Sequence, residues 1–424
     1  MLNETNFWLT TTPARSISAH PLPAQVDVVV VGAGFSGLSA ALTLARGGAR
    51  VAVLEAQTAG WGASCRNGGM VLTGMKLGVE TLIQQYGRER ARRMFELSLA
   101  AIDTVEDLAR EESINCDFER CGHLEVAWKE AHFNGYARAA ELMEKEFNHK
   151  VSVLARADQY TEIGSQLYHG ALLDETSAGV NPARFVSGLA DAAIRQGVDL
   201  HEQTTVLAIE KQASGFLVRT DRGSLQARQV FVGTSGYTGA ATPALRKRIA
   251  PIGSYIITTA PLPEEMARRV IPNGRMIFDS KHYLYYFRLT PDRRMMFGGR
   301  AAFRPETAAS IRESVPIMRQ GMVDVFPELR DIPVEYAWGG SLDFAMDMMP
   351  HTGRMEGVDY ALGYAGHGVA FATHLGMLAG KRLLGQPADD PLEGLPFPVY
   401  PLYWGKPWFL PFAGLYYRVL DLIS

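Results

Sequence analysis

The chain has 424 residues, of which 47% are hydrophobic and 21% charged, with a formal net charge of −3. That length supports a large core in one composite or two interleaved domains, and the near-balanced charge argues against nucleic acid as a partner. Three cysteines (Cys65, Cys116 and Cys121), no secretory-type N-terminus and no apolar run of about 18 residues predict a cytoplasmic protein without a disulfide framework or a spanning helix.

An apolar run, Val28–Val31, leads into Gly32-x-Gly34-x-x-Gly37, then a helix-like segment and a second apolar run ending at Glu55. Strand, glycine turn, helix, strand and acidic cap follow in the order a dinucleotide site needs. Gly32 permits the turn, Gly34 lets backbone approach a pyrophosphate, and Gly37 lets the helix pack close to the strand. The first helical turn, with Phe35 and Ser36, offers free N–H groups and a positive dipole end to phosphates. Glu55 is placed to accept hydrogen bonds from an adenosine ribose, with Ala56 beside it. A glycine-rich polar loop follows over residues 60–70, giving Gly62, Ala63, Ser64, Arg66, Asn67, Gly68, Gly69 and Met70 as cofactor candidates. Its glycines carry no Cβ to obstruct a large flat ligand; an ordinary surface loop is the alternative.

Residues 77–114 read as helices, 117–128 alternate like a strand, and 130–147 are again helical. Asn181-Pro182 is an N-cap followed by proline at the first helical position, predicting a helix to about Arg195. Strands are expected at 204–210, 216–220 and 224–233; the last turns abruptly small and polar at Thr234, Ser235 and Gly236, as a buried parallel strand does at a ligand. Residues 250–345 are strand-like and aromatic, with few helix signals. Pro251–Ala260, His282–Arg288 and Met295–Gly299 are the strand candidates, and residues 290–293 form a turn. Alternation puts Tyr283, Tyr285 and Phe287 on one face of the middle strand and Leu284, Tyr286 and Arg288 on the other; which face meets a ligand stays open. Glycines 363, 366 and 368 then precede a helical pattern, a second glycine turn that aims N–H groups at an anion. The tail from 394 is rich in aromatics and prolines, with a short amphipathic helix expected over 413–423.

The segments GAGFSGLSAAL and GASCRNGG resemble the D-amino-acid-oxidase-type (DAO) flavoprotein superfamily, nearest its gamma-glutamylputrescine oxidase-like branch, and the likeness extends through Gly363–Val369. That branch carries GASGRNGG, so Cys65 replaces a glycine here. The resemblance implies an α/β fold of the DAO/glutathione-reductase-2 type. Its Rossmann-like FAD-binding domain spans 25–80, 150–245 and 346–390, its inserted antiparallel-sheet substrate domain 81–149 and 246–345, and an aromatic tail 391–424. It implies that Val206 meets the adenine through its backbone and that Thr234–Gly236 return the chain near the adenosine. Gly366, His367, Gly368 and Val369 then face the N1–C2=O edge of the isoalloxazine, where His367 bonds cofactor or substrate or is merely structural. Trp338 matches a Trp-Gly motif of the family and is a wall candidate beside Tyr283 and Tyr285. Arg288 holds a substrate carboxylate in amino-acid oxidases of this type, or makes an ordinary salt bridge; Arg300 is a weaker candidate. Methionine stands where sarcosine-oxidase relatives carry an oxygen-activating lysine, which puts oxygen in doubt as acceptor, with Lys76 as a substitute. No cysteine follows Cys121, so non-covalent FAD is expected, a linkage through Cys65 being the alternative.

The reading that results is an FAD-dependent oxidoreductase acting on a small-molecule amine. Hydride passes from the carbon beside nitrogen to flavin N5, leaving an imine that water hydrolyses. The neutral amine reacts, and deprotonating an alkylamine of pKa ~10 at pH 7 costs about 4 kcal/mol; aromatic walls lower that cost by desolvation. No triad or metal cluster is needed. One rival is an amino-acid or cyclic imino-acid oxidase or dehydrogenase, of the L-pipecolate or D-amino-acid type. The non-enzyme rival is a non-catalytic flavin-binding, membrane-docking protein. The tail either contacts a membrane surface peripherally or packs onto the body. The oligomeric state stays open.

Overall fold

The strand Gln25–Val31 is the spine of the first sheet in a computed structural model that describes residues 2–13, 15, 20–299, 306–405 and 407–423. It pairs in parallel with Val51–Leu54 on one side and Gly223–Val232 on the other. Asp199–His201 and Val358–Leu362 extend the parallel array outward, and His351–Met355 closes one edge antiparallel. Val28, Val29 and Val30 are buried, as expected of a parallel strand covered on both faces. The antiparallel strands Val206–Gln212 and Gly215–Thr220 continue from Gly223–Val232.

Helix Phe35–Arg46 packs so close to this sheet that a Cβ on Gly37 would stand 1.8 Å from the Gly32 carbonyl oxygen. On its other side lies the helix Gly368–Leu383, where a Cβ on Gly376 would stand 2.3 Å from the Ser36 carbonyl oxygen. Helix Pro182–Arg195 starts as its sequence predicts: the Asn181 side chain accepts the Arg184 N–H at 3.1 Å and proline follows.

The second sheet has eight strands in the order Val334–Phe344, Ala250–Pro261, Arg294–Gly299, Tyr285–Leu289, Met276–Asp279, His123–Val126, Gly170–Asp174 and Ser152–Ala155. It is antiparallel apart from the parallel pairing of Met276–Asp279 with His123–Val126. Its reach corrects the expected boundaries. Ser152–Ala155 and Gly170–Asp174 lie within 150–245, the segment expected in the cofactor domain, yet both hydrogen-bond into the second sheet. Helix Arg88–Glu111, expected with the substrate domain, shares one core with Gly368–Leu383 through Phe95, Ala101 and Val105 against Leu375 and Leu378. Its amphipathic pattern marks a buried face without saying what that face meets. Two helices also interrupt the strand-like region, Glu264–Val270 and Ala308–Val325. The second is started by a Thr307/Ser310 capping box and contains Pro316, so it carries both an atypical start and a breaker.

The tail ends in a helix Leu410–Ile423, longer at its start than expected because Pro411 sits in the first turn, where its missing N–H costs nothing. No helix among the described residues is long and apolar enough to cross a membrane.

Gly376→Ala should cost about 1–3 kcal/mol by overpacking the helix contact, read as a lower denaturation midpoint; an unchanged midpoint would show that the two helices part freely. Nearby, buried His374 bonds the Thr104 hydroxyl at 2.7 Å, and burial, helped by Lys381, pushes its imidazole down to about 4. The unfolded imidazole takes a proton near its ordinary 6.5, whereas the folded one resists until about 4. Stability should therefore fall by about 1–3 kcal/mol as pH drops through that window, and by less in His374→Gln. Equal losses in the two proteins would remove His374 as the cause.

Candidate active site and cofactor cleft

A cleft of about 1550 Å³ lies between the two sheets. Small-ligand pockets hold roughly 300–1,000 Å³, so this one has room for an extended ligand and a second molecule beside it. At one end Gly32 turns with φ +99°, and a Cβ there would meet the Gly233 carbonyl oxygen at 3.1 Å. The Phe35 N–H donates to Ser64 Oγ at 3.0 Å, so the glycine-rich loop closes over the helix N-terminus. A Cβ on Gly34 would stand 2.8 Å from that same hydroxyl. Glu55 accepts the Ala33 N–H at 2.8 Å and the Gln57 N–H at 2.9 Å, one on each carboxylate oxygen. Burial pushes its carboxyl up, those amides pulling the other way. Each oxygen keeps lone-pair capacity for a hydroxyl.

Gly32, Gly34, Phe35, Ser36, Glu55, Ala56, Gly62, Ala63, Ser64, Val206, Thr234 and Ser235 all line this end. Three expected cofactor residues do not line the cleft. Gly37 faces the Gly32 carbonyl, a Cβ on Gly69 would stand 2.1 Å from the Val180 carbonyl oxygen, and one on Gly236 would stand 2.8 Å from that of Ser341. Each is a glycine because backbone passes it closely, away from the ligand space.

Arg66, Asn67, Gly68, Met70, Gly366, His367, Gly368 and Val369 line the middle of the cleft. Gly366 has φ +99° and nothing within 4 Å of a Cβ position, so a side chain there would project into open space. Helix Gly368–Leu383 begins here with His367 as its N-cap, and its first-turn N–H groups have no partner within the helix. His367 Nδ1 is buried without a partner. Burial, with Lys76 and His123 adding, pushes its imidazole down to about 3, so it is a neutral hydrogen-bonding group near pH 7. Two helix N-termini, an acidic ribose-type acceptor, an open glycine cradle and an orphaned ring nitrogen fit the phosphate, adenosine and ring ends of FAD.

The far wall is the inner face of the second sheet, where His123, Glu125, Leu172, Asp174, Phe278, Leu284 and Tyr286 line the cleft. Strand register sets Glu125 beside Phe278, and Phe278 beside Tyr286. The Tyr286 hydroxyl bonds Ser254 Oγ at 3.1 Å, and its ring edge lies 3.0 Å from a Cβ position on Gly68.

Four expected catalytic residues lie elsewhere. Tyr285 is on the opposite strand face, against Phe297, with the Lys281 ammonium 3.9 Å from its ring centre. Tyr283 packs beneath the C-terminal helix, and its N–H donates to Asp421. Trp338 is buried, its indole N–H donating to the Arg66 carbonyl at 3.1 Å. Buried Arg288 donates from Nη1 to the carbonyls of Gly69 at 3.0 Å and Val180 at 3.3 Å. It braces the glycine-rich loop instead of facing a ligand. The alternation was legible, but the face that meets the cleft is that of Leu284 and Tyr286. Arg300 lies outside the described residues. Met295 and Met296 are buried, whereas Lys76 lines the cleft. The Cys65 thiol is turned into the core beside Asn6, and burial pushes it up to about 11. His123, Glu125 and Phe278 went unnamed in the sequence. Alternation puts His123 and Glu125 on one strand face, but no local signal pairs that strand with Met276–Asp279.

Residues 27–382 match the family model described as "DAO: FAD dependent oxidoreductase". The chain is 32% identical over 409 residues to the "Probable oxidoreductase OrdL" of Haemophilus influenzae, covering 94% of this chain and 92% of that one. It is also 32% identical over 405 residues to the gamma-glutamylputrescine oxidoreductase of Escherichia coli, covering 94% and 93%. Among solved structures, glycine oxidase from Geobacillus kaustophilus superposes with a TM-score of 0.75 at 18% identity, over 90% of this chain and 100% of that one. L-proline dehydrogenase from P. horikoshii superposes with a TM-score of 0.71 at 20% identity, over 92% and 98%. At these identities the structural likeness speaks for the fold.

Glu55→Gln keeps the side chain's size but loses its charge and one acceptor oxygen. FAD affinity should fall by about 10- to 100-fold, the scale of a hydrogen bond to a charged group, measured by ultrafiltration of released flavin. Unaltered retention would place the ribose elsewhere.

Proposed function

The chain belongs to the DAO family of FAD-dependent oxidoreductases, and from that membership we propose that it oxidises the carbon–nitrogen bond of a small-molecule amine, in the manner of a gamma-glutamylputrescine oxidoreductase. The observation that carries the choice of an amine is the commitment of Arg288 to the Gly69 and Val180 carbonyls. The arginine that would hold a substrate carboxylate in the amino-acid-oxidase reading is spent on the loop, and Phe278, Leu284 and Tyr286 line the cleft on that side.

Bound FAD supplies the two-electron acceptor for the C–H bond beside nitrogen, the product imine hydrolysing to a carbonyl compound and an amine. The residues of the chain prepare the substrate. Phe278, Leu284 and Tyr286 line one side of the cleft, while Phe409, Leu410 and Tyr417 of the tail line another. Water is displaced from an amine held among them, and the neutral form gains relative to the ammonium. His367 stays uncharged and available as a hydrogen-bonding group, so it adds no positive charge beside the amine. The flavin is held without a covalent bond, a reading supported by the inward turn of Cys65. Peripheral membrane contact is supported by the same tail helix, whose Phe412, Leu415 and Tyr416 are exposed on the side away from the cleft-lining Leu410, Ala413 and Tyr417.

The purified flavoprotein should lose its flavin absorbance when linear amines are added without oxygen, and acid precipitation should leave FAD in the supernatant. Bleaching by carboxylate-bearing substrates alone would establish the amino-acid or imino-acid oxidation instead.

A further inference from the structure

Among the described residues six carboxylates line the cleft, and five of them already take a nitrogen partner. Glu55, Glu80, Asp174 and Asp343 each take a nitrogen donor at 2.6–2.8 Å, and Asp279 accepts the Tyr285 N–H at 3.1 Å and pairs with the Lys281 ammonium at 2.9 Å. Glu125 differs. Half-buried on His123–Val126, it has one contact among the described residues, the Tyr136 hydroxyl at 3.4 Å, and a carboxylate has capacity for about four. Burial pushes its carboxyl up, with the Tyr136 hydroxyl and the through-space pull of Lys76 acting the other way. A half-desolvated acid with open acceptor capacity and a ligand-sized space before it is a receptor for a cation.

Its place along the wall says which part of a ligand it meets. Glu125, Phe278 and Tyr286 form a row across three adjacent strands. At about 4.8 Å per strand, Glu125 stands roughly 10 Å from Tyr286, the ring against which Gly68 of the glycine-rich loop sits. Beyond Glu125 the cleft continues along helix Glu130–Phe147, through Gly135, Ala139 and Leu142. A carboxylate beside the reacting nitrogen would hold it as the ammonium and oppose oxidation; one at this distance does not.

We infer that Glu125 anchors a second cationic group of the substrate, remote from the carbon that is oxidised, with the Phe278–Tyr286 wall covering the aliphatic chain between the two ends. The inference rests on the proposed amine oxidation and narrows its substrate class to amines that carry a further positive charge across an extended chain. It disfavours simple monoamines and substrates whose remote end carries a carboxylate without a cation.

Calorimetric titration of the FAD-loaded protein with 1,4-diaminobutane, a longer 1,6-diaminohexane and 1-aminohexane tests it. Wild type should bind the better-fitting diamine about 10- to 100-fold more tightly than the monoamine. Glu125→Gln should bring the diamine down to the monoamine's level, and Glu125→Asp should restore part of the gap. In turnover, KM for the diamine should rise in Glu125→Gln by more than kcat falls. A diamine preference that survives Glu125→Gln, or its absence in wild type, overturns the inference. Should the preference follow Glu125 while no amine bleaches the flavin, the anchor stands and amine oxidation falls. Bleaching by amines without any diamine preference gives the reverse.

Discussion

Backbone-to-backbone packing around the helix Phe35–Arg46 is the constraint on which the rest of the molecule depends. Gly37 brings the helix against the turn at Gly32, and Gly376 brings the distal helix Gly368–Leu383 against Ser36. The Ser36 hydroxyl also bonds the Tyr364 hydroxyl at 2.6 Å, across 328 residues of sequence. With side chains at these crossings the two helix N-termini would separate, and both open on one cleft only because nothing larger than hydrogen stands between them. Their two sets of N–H groups then open on the same space.

A second set of contacts joins that cofactor layer to the substrate wall. Arg288 reaches from the second sheet to the Gly69 and Val180 carbonyls, and Gly179 leaves room for it, a Cβ there lying 2.8 Å from Nη1. Arg66 reaches back to Glu306 and the Gly339 carbonyl at 2.8 and 3.1 Å. The glycine-rich loop is thus gripped from the sheet it faces. A buried guanidinium must satisfy its donors somewhere, and here backbone carbonyls take that part. Its charge is thereby held between sheet and loop, while Phe278, Leu284 and Tyr286 line the cleft beside it.

The cleft is consequently graded along its length. Amides, glycines and one carboxylate gather at the dinucleotide end, and a neutral His367 lies at the middle. At the far end are the Phe278 and Tyr286 rings with Glu125 beyond them. Strand spacing keeps the rings and the Glu125 carboxylate apart along the wall.

The strand, glycine turn, helix and strand leading to Glu55 were legible in the sequence itself. Gly32, Gly34, Gly37 and Glu55 act within one local unit, where glycine spacing and hydrophobic runs dictate strand, turn and helix whatever surrounds them. The helix starting at Asn181-Pro182 was legible for the same reason, since capping is local. Other features were decided by tertiary structure. The strands at 152–155 and 170–174 are too short to declare a partner, and they joined the second sheet through pairings made far along the chain. Alternation in 282–288 defined two faces, but which one met the cleft depended on the neighbouring strands and on the loop that Arg288 braces. Glu125 is an unremarkable acid in sequence; its open acceptor capacity exists only where Met276–Asp279 and helix Glu130–Phe147 close around it. Local sterics and hydrogen bonding are written in consecutive residues, whereas burial and unmet polarity arise from contacts between distant ones.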